Sequence, residues 1–175
     1  MTKIRILEGG TALLESIAPL WRKLALHHAG ISVNFSGEFS AMRWPRRRAD
    51  LLEKAATGSL YIALAVDAVR KKLVGYCVAV INSHGSGEIE SLYVVDAFRG
   101  CGVGTELVDK ILSWFDRKKA ESTSVNVAIG NESAFRFYRQ WGFYPRVTSL
   151  VRKKKTSPQR HRGHRGKERE QEKGT

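Results

Sequence analysis

Residues 93–112, YVVDAFRGCGVGTELVDKIL, restrict the fold of this chain more than any other stretch. A β-rich run reaches Val95, glycines follow at 100, 102 and 104, and an amphipathic helix begins at once, expected from about Gly102 to Lys119. Val103, Leu107, Val108, Ile111, Leu112 and Phe115 form its apolar stripe. A strand that feeds such a helix through so short a turn belongs to a mixed α/β architecture. The turn also leaves the first amides of the helix without intrahelical acceptors, at the positive end of its dipole, which is an outline of a phosphate site. A tight connection with no ligand would use the same glycines. The spacing excludes two other glycine motifs. A dinucleotide fingerprint begun at Gly100 meets Thr105 where glycine or alanine is needed, and one begun at Gly102 meets Leu107. The Lys-Ser/Thr pair of a P-loop is absent.

The rest of the chain fits this frame. Positions 3–8 read as a short strand, and Thr11 is the expected cap of a helix carrying Leu13, Leu14, Ile17, Leu20, Trp21, Leu24 and Leu26. The segment 31–45 carries turn signals and reads as a substrate-facing lid, and a second helix runs from Pro45 toward Gly58. SLYIALAVD and KLVGYCVAVIN form a hairpin about DAVRKK, and GEIESLYVVD adds a third antiparallel strand. After the helix that follows the glycines come a buried strand, SVNVAI, a helix from Asn131 to Gln140, and one or two closing strands in GFYPRVTSLVRK. The expected order is βααβββαβαβ, with helices on both faces of a mostly antiparallel sheet.

At 175 residues the chain suits one domain, expected over 1–151, with a separate basic tail over 152–175. Ten Lys and Arg against three Glu in that tail account for +7 of the net charge of +13. The tail has no hydrophobic residue and reads as disordered. It offers a surface to nucleic acid or an acidic partner, without aromatic residues to stack on bases. Cys77 and Cys101 form neither a disulfide framework nor a CxxC pair, and no apolar run is long enough for a membrane span. The expectation is a cytoplasmic protein with free thiols, no metal and no membrane partner; homodimerisation is left open. His27, His28 and His84 read as solvated or core imidazoles, and Arg46–Arg48 as a solvated face or a contact to an acidic group.

Two motifs then carry a resemblance. Arg99-Gly-Cys-Gly-Val-Gly104 resembles the R/Q-x-x-G-x-G/A signature of the GNAT superfamily of acetyl-CoA-dependent N-acetyltransferases. Asn131, Ala134, Phe137, Tyr138, Gly142 and Phe143 fit that superfamily's N-x-x-A-x-x-F-Y-x-x-x-G-F pattern. The resemblance is sharp over 88–143 and absent from the basic tail. It implies a GNAT-like sheet in which the strand at 88–95 splays from the strand at 123–129, opening a cleft for acetyl-CoA.

It further implies that backbone groups of Leu92, Tyr93 and Val94 receive the pantetheine arm, and that an N–H at Leu92 or Val94 stabilises the oxyanion. The amides of Gly100, Cys101, Gly102, Val103, Gly104 and Thr105 would hold the pyrophosphate, with Arg99 as a neighbouring cation. Asn131 would cap its helix and touch the cofactor arm, and Tyr138 would protonate the departing thiolate. The attacking primary amine needs a base. Glu90 is the first candidate and Glu88 the alternative, both placed by strand alternation on one face with Leu92 and Val94. The expected activity is direct acetyl transfer to an amine in a ternary complex. The rival readings are a noncatalytic CoA-binding module of the same fold and a basic RNA- or ribosome-associated protein.

Overall fold

The computed structural model describes residues 3–152. It divides into two compact units, residues 1–144 and 145–175. In the first unit the chain runs β1 (Ile4–Gly9), α1 (Leu14–Ile31), α2 (Ser36–Ala41), α3 (Trp44–Thr57), β2 (Ser59–Asp67), β3 (Lys72–Ile81), β4 (Ser86–Val94), α4 (Val103–Arg117), β5 (Ser122–Val125) and α5 (Glu132–Tyr138). The five strands lie in sequence order. β1 through β4 pair antiparallel, and β4 with β5 parallel.

Alternation along the central strands builds two cores. Ile62, Leu64, Tyr76, Val78 and Tyr93 point to one face, where they meet Ile17, Trp21 and Leu24 of α1 and Trp44 and Leu51 of α3. On the other face Ala63, Ala65, Cys77 and Ala79 are small, and α4 lays Leu107, Val108, Ile111, Trp114 and Phe115 over them. Small strand residues opposite large helix residues keep the layers interdigitated at the density of an ordinary protein interior. Each of these large side chains, fully buried, contributes roughly 1.5–3 kcal/mol from area removed from water. The β2–β3 hairpin is closed by buried Asp67, whose carboxylate accepts the backbone N–H groups of Val69 (3.0 Å) and Arg70 (3.1 Å) and pairs with the Arg70 guanidinium.

Four expectations need correction. Thr11 does not cap α1; it opens a single 3-10 turn, and Leu13 stands at the N-cap without a side-chain bond. The lid segment contains a short helix, α2. β5 stops at Val125 instead of running through 129, because β4 pairs with it only from Ser86 to Ile89. The closing strands are absent from the described part of the second unit: 145–152 form neither helix nor strand. No Gly, Asn or Asp follows Gly142 in that segment to reverse the chain, and Val147, Leu150 and Val151 break the two-residue period a strand needs. Most of the basic tail, 153–175, lies outside the described residues. Among the described residues no helix is long and apolar enough to cross a membrane.

Candidate active site

The site begins with a register slip. β4 pairs Ile89 with Ala79 and Ser91 with Val78 of β3, so Glu90 is an extra residue, a β-bulge. An inserted residue reverses the alternation beyond it. Ile89, Leu92 and Val94 face α4, whereas Ser91 and Tyr93 face α1 and α3. Glu88 and Glu90 also turn to the α3 side, where they meet Lys54 and Arg47. The expected placement of both glutamates on one face with Leu92 and Val94 is therefore wrong, since alternation holds only through an unbroken ladder.

Past the bulge β4 leaves β5, and the gap is the opening of a cavity of about 600 Å³, a size suited to a small ligand or cofactor arm. The Val95 N–H donates to the Val74 carbonyl at 2.8 Å, toward β3. Backbone alternation then turns the amide groups of Leu92 and Val94 away from β3, into the gap. One of these groups is taken: the Val94 carbonyl accepts Arg99 Nε at 2.9 Å. The Arg99 guanidinium also pairs with Asp96 (2.9 Å) and lies 5.4 Å from the Tyr93 ring centre, so it braces the turn while still bordering the cavity.

The glycine turn forms the far end. Gly102 is the N-cap of α4 at φ 80°, a left-handed conformation that costs glycine nothing. The first helical bond runs from the Glu106 N–H to the Gly102 carbonyl (3.0 Å), so no helix carbonyl is available to the amides of Val103, Gly104 and Thr105. A Cβ at Gly104 would stand 3.3 Å from Phe137 Cζ; the missing side chain lets α4 and α5 close on one another. Asn131 caps α5 as expected, its Oδ1 accepting the Ala134 N–H (3.3 Å) and the Ser133 hydroxyl (2.9 Å), and it lines the cavity as well. Tyr138, at the end of α5, is 6% exposed, and its ring packs edge-on against Phe137 and Phe143. Among the described residues nothing bonds its hydroxyl. Burial, followed by the nearness of Cys77 and Tyr76, holds that hydroxyl well above the usual phenol value, so it carries its proton at neutral pH.

Glu90 lines the cavity with its side chain 4% exposed. Arg47 Nη2 donates to Glu90 Oε2 at 2.8 Å and more loosely to the Glu90 carbonyl (3.3 Å), and Lys54 Nζ holds Oε1. Each carboxylate oxygen thus already has a cationic partner. Glu88 lies outside this cavity, in a smaller one of about 220 Å³ with Lys54 and Ser124, and its Oε1 accepts Nδ2 of Asn126, a residue of the main cavity, at 2.6 Å.

Of the residues expected at the site, Leu92, Tyr93, Val94, Arg99, Gly100, Gly102, Gly104, Thr105, Asn131, Glu90 and Tyr138 meet around one cavity. Cys101 is exposed and Val103 is core, and neither lines it. The sequence reading missed a third wall, supplied by Leu24, His27 and His28 of α1. One signal was present: His28 continues the spacing of Ile17, Trp21 and Leu24, three residues on the buried stripe of α1.

Comparison with known proteins agrees with this geometry. The family model "Acetyltransferase (GNAT) family" matches residues 30–143. An uncharacterized N-acetyltransferase of Methanocaldococcus jannaschii is 29% identical over 66 residues, which are 38% of this chain and 29% of that relative's length. Among solved structures, a putative acetyl transferase from Pyrococcus furiosus superposes with a TM-score of 0.65 at 20% identity, covering 86% of this chain and 99% of its own. The aminoglycoside N-acetyltransferase AAC(6')-Iy, solved with CoA, gives 0.61 at 17% identity, covering 89% and 97%. A ribosomal-protein-alanine N-acetyltransferase from Brucella melitensis biovar Abortus 2308 gives 0.57 at 17%, covering 86% and 99%. The splayed strands and the glycine turn fall within a family match that spans well over half of its length, and this chain belongs to the GNAT acetyltransferase family.

Proposed function

We propose that this protein is an N-acetyltransferase that moves an acetyl group from acetyl-CoA to a primary amine by direct attack in a ternary complex. The observation that carries the reading is one continuous cavity. It runs from the unpaired amides at the start of α4, along the free edge of β4 beyond Ile89, to Tyr138. An elongated ligand with a phosphorylated end and an amide-bearing arm fits both needs, since the helix start takes the anion and the open strand edge takes the amides. A related fold solved with CoA supports the same cosubstrate.

In this reading the amides of Gly104 and Thr105 bind pyrophosphate, and the Leu92 and Val94 edge aligns the arm so that one N–H stabilises the developing oxyanion. Tyr138 keeps its proton until sulfur departs and then donates it. The Arg47–Glu90–Lys54 cluster fixes the bulge, and with it the direction of the free strand edge. Acceptors named by the related structures, an aminoglycoside and a ribosomal-protein alanine, are both amines and define the first library to try.

The test is a CoA-release assay over aminoglycosides, polyamines and N-terminal and lysine peptides, run beside acetyl-CoA binding by calorimetry. Binding with amine-dependent release is the expected result. Binding without release from any amine would support a noncatalytic module. Salt-sensitive RNA binding without acetyl-CoA affinity would support the nucleic-acid reading instead.

A further inference from the structure

Among the described residues, six with ionisable or permanently charged side chains line the cavity: His27, His28, Glu90, Tyr93, Arg99 and Tyr138. An amine that attacks a carbonyl must lose a proton, and most of these cannot take it. Arg99 offers donors and no acceptor, and the two phenols offer O–H groups. Glu90 is held on both oxygens by Arg47 and Lys54. The two imidazoles of α1 remain, lining the same cavity as the free edge of β4.

His28 is the better placed of the two. It continues the buried stripe of α1 and is half-buried, and the edge contact with Phe39 of α2, 5.3 Å between ring centres, fixes its ring. His27 lies 6.1 Å away, ring to ring. Glu90, Tyr93, Arg99 and Tyr138 line the same cavity, and α2 carries Glu38, which is exposed; among the described residues no carboxylate forms an ion pair with His28. Burial, and secondarily the proximity of His27, pull its pKa below the usual 6.5, which leaves a neutral ring with an available lone pair at pH 7.

We propose that His28 is the general base of this site, taking the proton of the acceptor amine as it attacks. The inference rests on the acetyltransferase reading above. The lone pair of the neutral amine forms the C–N bond to the thioester carbon, and the carbonyl electron pair moves onto oxygen. The proton leaving nitrogen passes to the unprotonated ring nitrogen of His28. The oxygen pair returns, the C–S bond breaks with its electrons going to sulfur, and sulfur takes the proton of Tyr138. Imidazolium and phenolate then exchange with water, restoring both groups and leaving amide and thiol as the products. Glu90 is a positioning residue in this scheme, holding the bulge.

The experiment compares wild type, His28→Ala, His28→Gln, His27→Gln and Glu90→Gln, with the best amine from the library, by kcat/KM from pH 5 to 9. Acetyl-CoA affinity and thermal midpoint are measured for each. Wild type is expected to lose activity as pH falls through a midpoint below 6.5, because protonation removes the base. Both His28 variants should fall about 10²–10³-fold at pH 7.5 and lose that acid limb, with acetyl-CoA affinity within about threefold of wild type. Added imidazole should restore at least about tenfold of the His28→Ala loss and none of the His28→Gln loss, since only the alanine variant leaves room for it. His27→Gln should keep the limb with its midpoint moved upward. Persistence of the limb in both His28 variants, or its disappearance in Glu90→Gln alone, would overturn the assignment while leaving the acetyltransferase reading standing. Absence of turnover with every amine in wild type would remove both.

Discussion

The two faces of β4 are built by different means. Toward α4 the site is made of backbone: the edge amides of Leu92 and Val94, the turn amides of Gly104 and Thr105, and glycines where a side chain would intrude. Toward α1 and α3 it is made of side chains, with Arg47, Lys54 and Glu90 in one ion cluster and His27 and His28 on the cavity wall. A backbone site suits a ligand that never changes, because amides cannot be exchanged by mutation. A side-chain site can be altered one residue at a time, which suits an acceptor that differs from one enzyme to the next.

The largest expected effect is on the backbone side. A Cβ at Gly102 would meet nothing within 4 Å, so steric crowding is not the problem with Gly102→Val. The problem is φ 80°, a conformation costing a β-branched residue on the order of 1–3 kcal/mol. Relaxing that strain turns the α4 amides away from their common target. Acetyl-CoA affinity should drop by about 10²-fold or more in calorimetry, with the thermal midpoint lowered by no more than that local strain accounts for. Undiminished affinity would move the phosphate site off this turn.

Tyr138→Phe should come next, with kcat lowered about 10²-fold at neutral pH and acetyl-CoA affinity nearly unchanged. The deficit should narrow with a thioester donor whose thiol is more acidic, because a better leaving thiolate needs less help from a proton. An equal deficit with both donors would make the residue a packing element whose ring, not hydroxyl, matters.

The same contrast explains what the sequence disclosed. The glycine turn, the α4 stripe, the Asn131 cap and Tyr138 each have a positional requirement within a few residues of chain, so each leaves a local mark. The β2–β3–β4 meander was equally legible, from alternation and turns. The α1 and α3 wall was not. Arg47 and Glu90 meet across 43 residues of sequence, and the bulge that aims Glu90 falls in GEIESLYVV, where neither glycine nor proline interrupts the run near residue 90. That slip arises from how β3 and β4 fit between two helical layers, a tertiary property with no local signature. His28 was visible only as a polar residue keeping apolar time, which in most helices means packing.

Arg47→Met tests the side-chain half. The variant leaves Glu90 with Lys54 alone and one oxygen of a buried carboxylate without its donor, so stability should fall by roughly 1–3 kcal/mol, read as a lower urea midpoint. Adding Glu90→Gln should recover part of that loss, because the uncompensated charge goes with it. If the double variant is instead destabilised by the full sum, the cluster is not a coupled unit and Glu90 does not depend on Arg47 for its placement.

The smallest effect is expected at Asn131, where the two construction modes meet. Its side chain caps α5 through the Ala134 N–H, and it also lines the cavity. Asn131→Ala removes the cap and should cost about 1 kcal/mol of stability. Asn131→Asp keeps an acceptor for the same N–H and adds a negative charge at the start of α5, which the helix dipole favours. Stability should therefore be regained in the aspartate variant. If Asn131 serves only as a cap, acetyl-CoA affinity should follow stability and return as well. If the side-chain amide also touches the cofactor arm, affinity should stay low in both variants, since a carboxylate cannot donate the hydrogen bond that Nδ2 can. Separating the two curves, unfolding midpoint and acetyl-CoA affinity, assigns Asn131 to the scaffold or to the binding surface without reference to turnover.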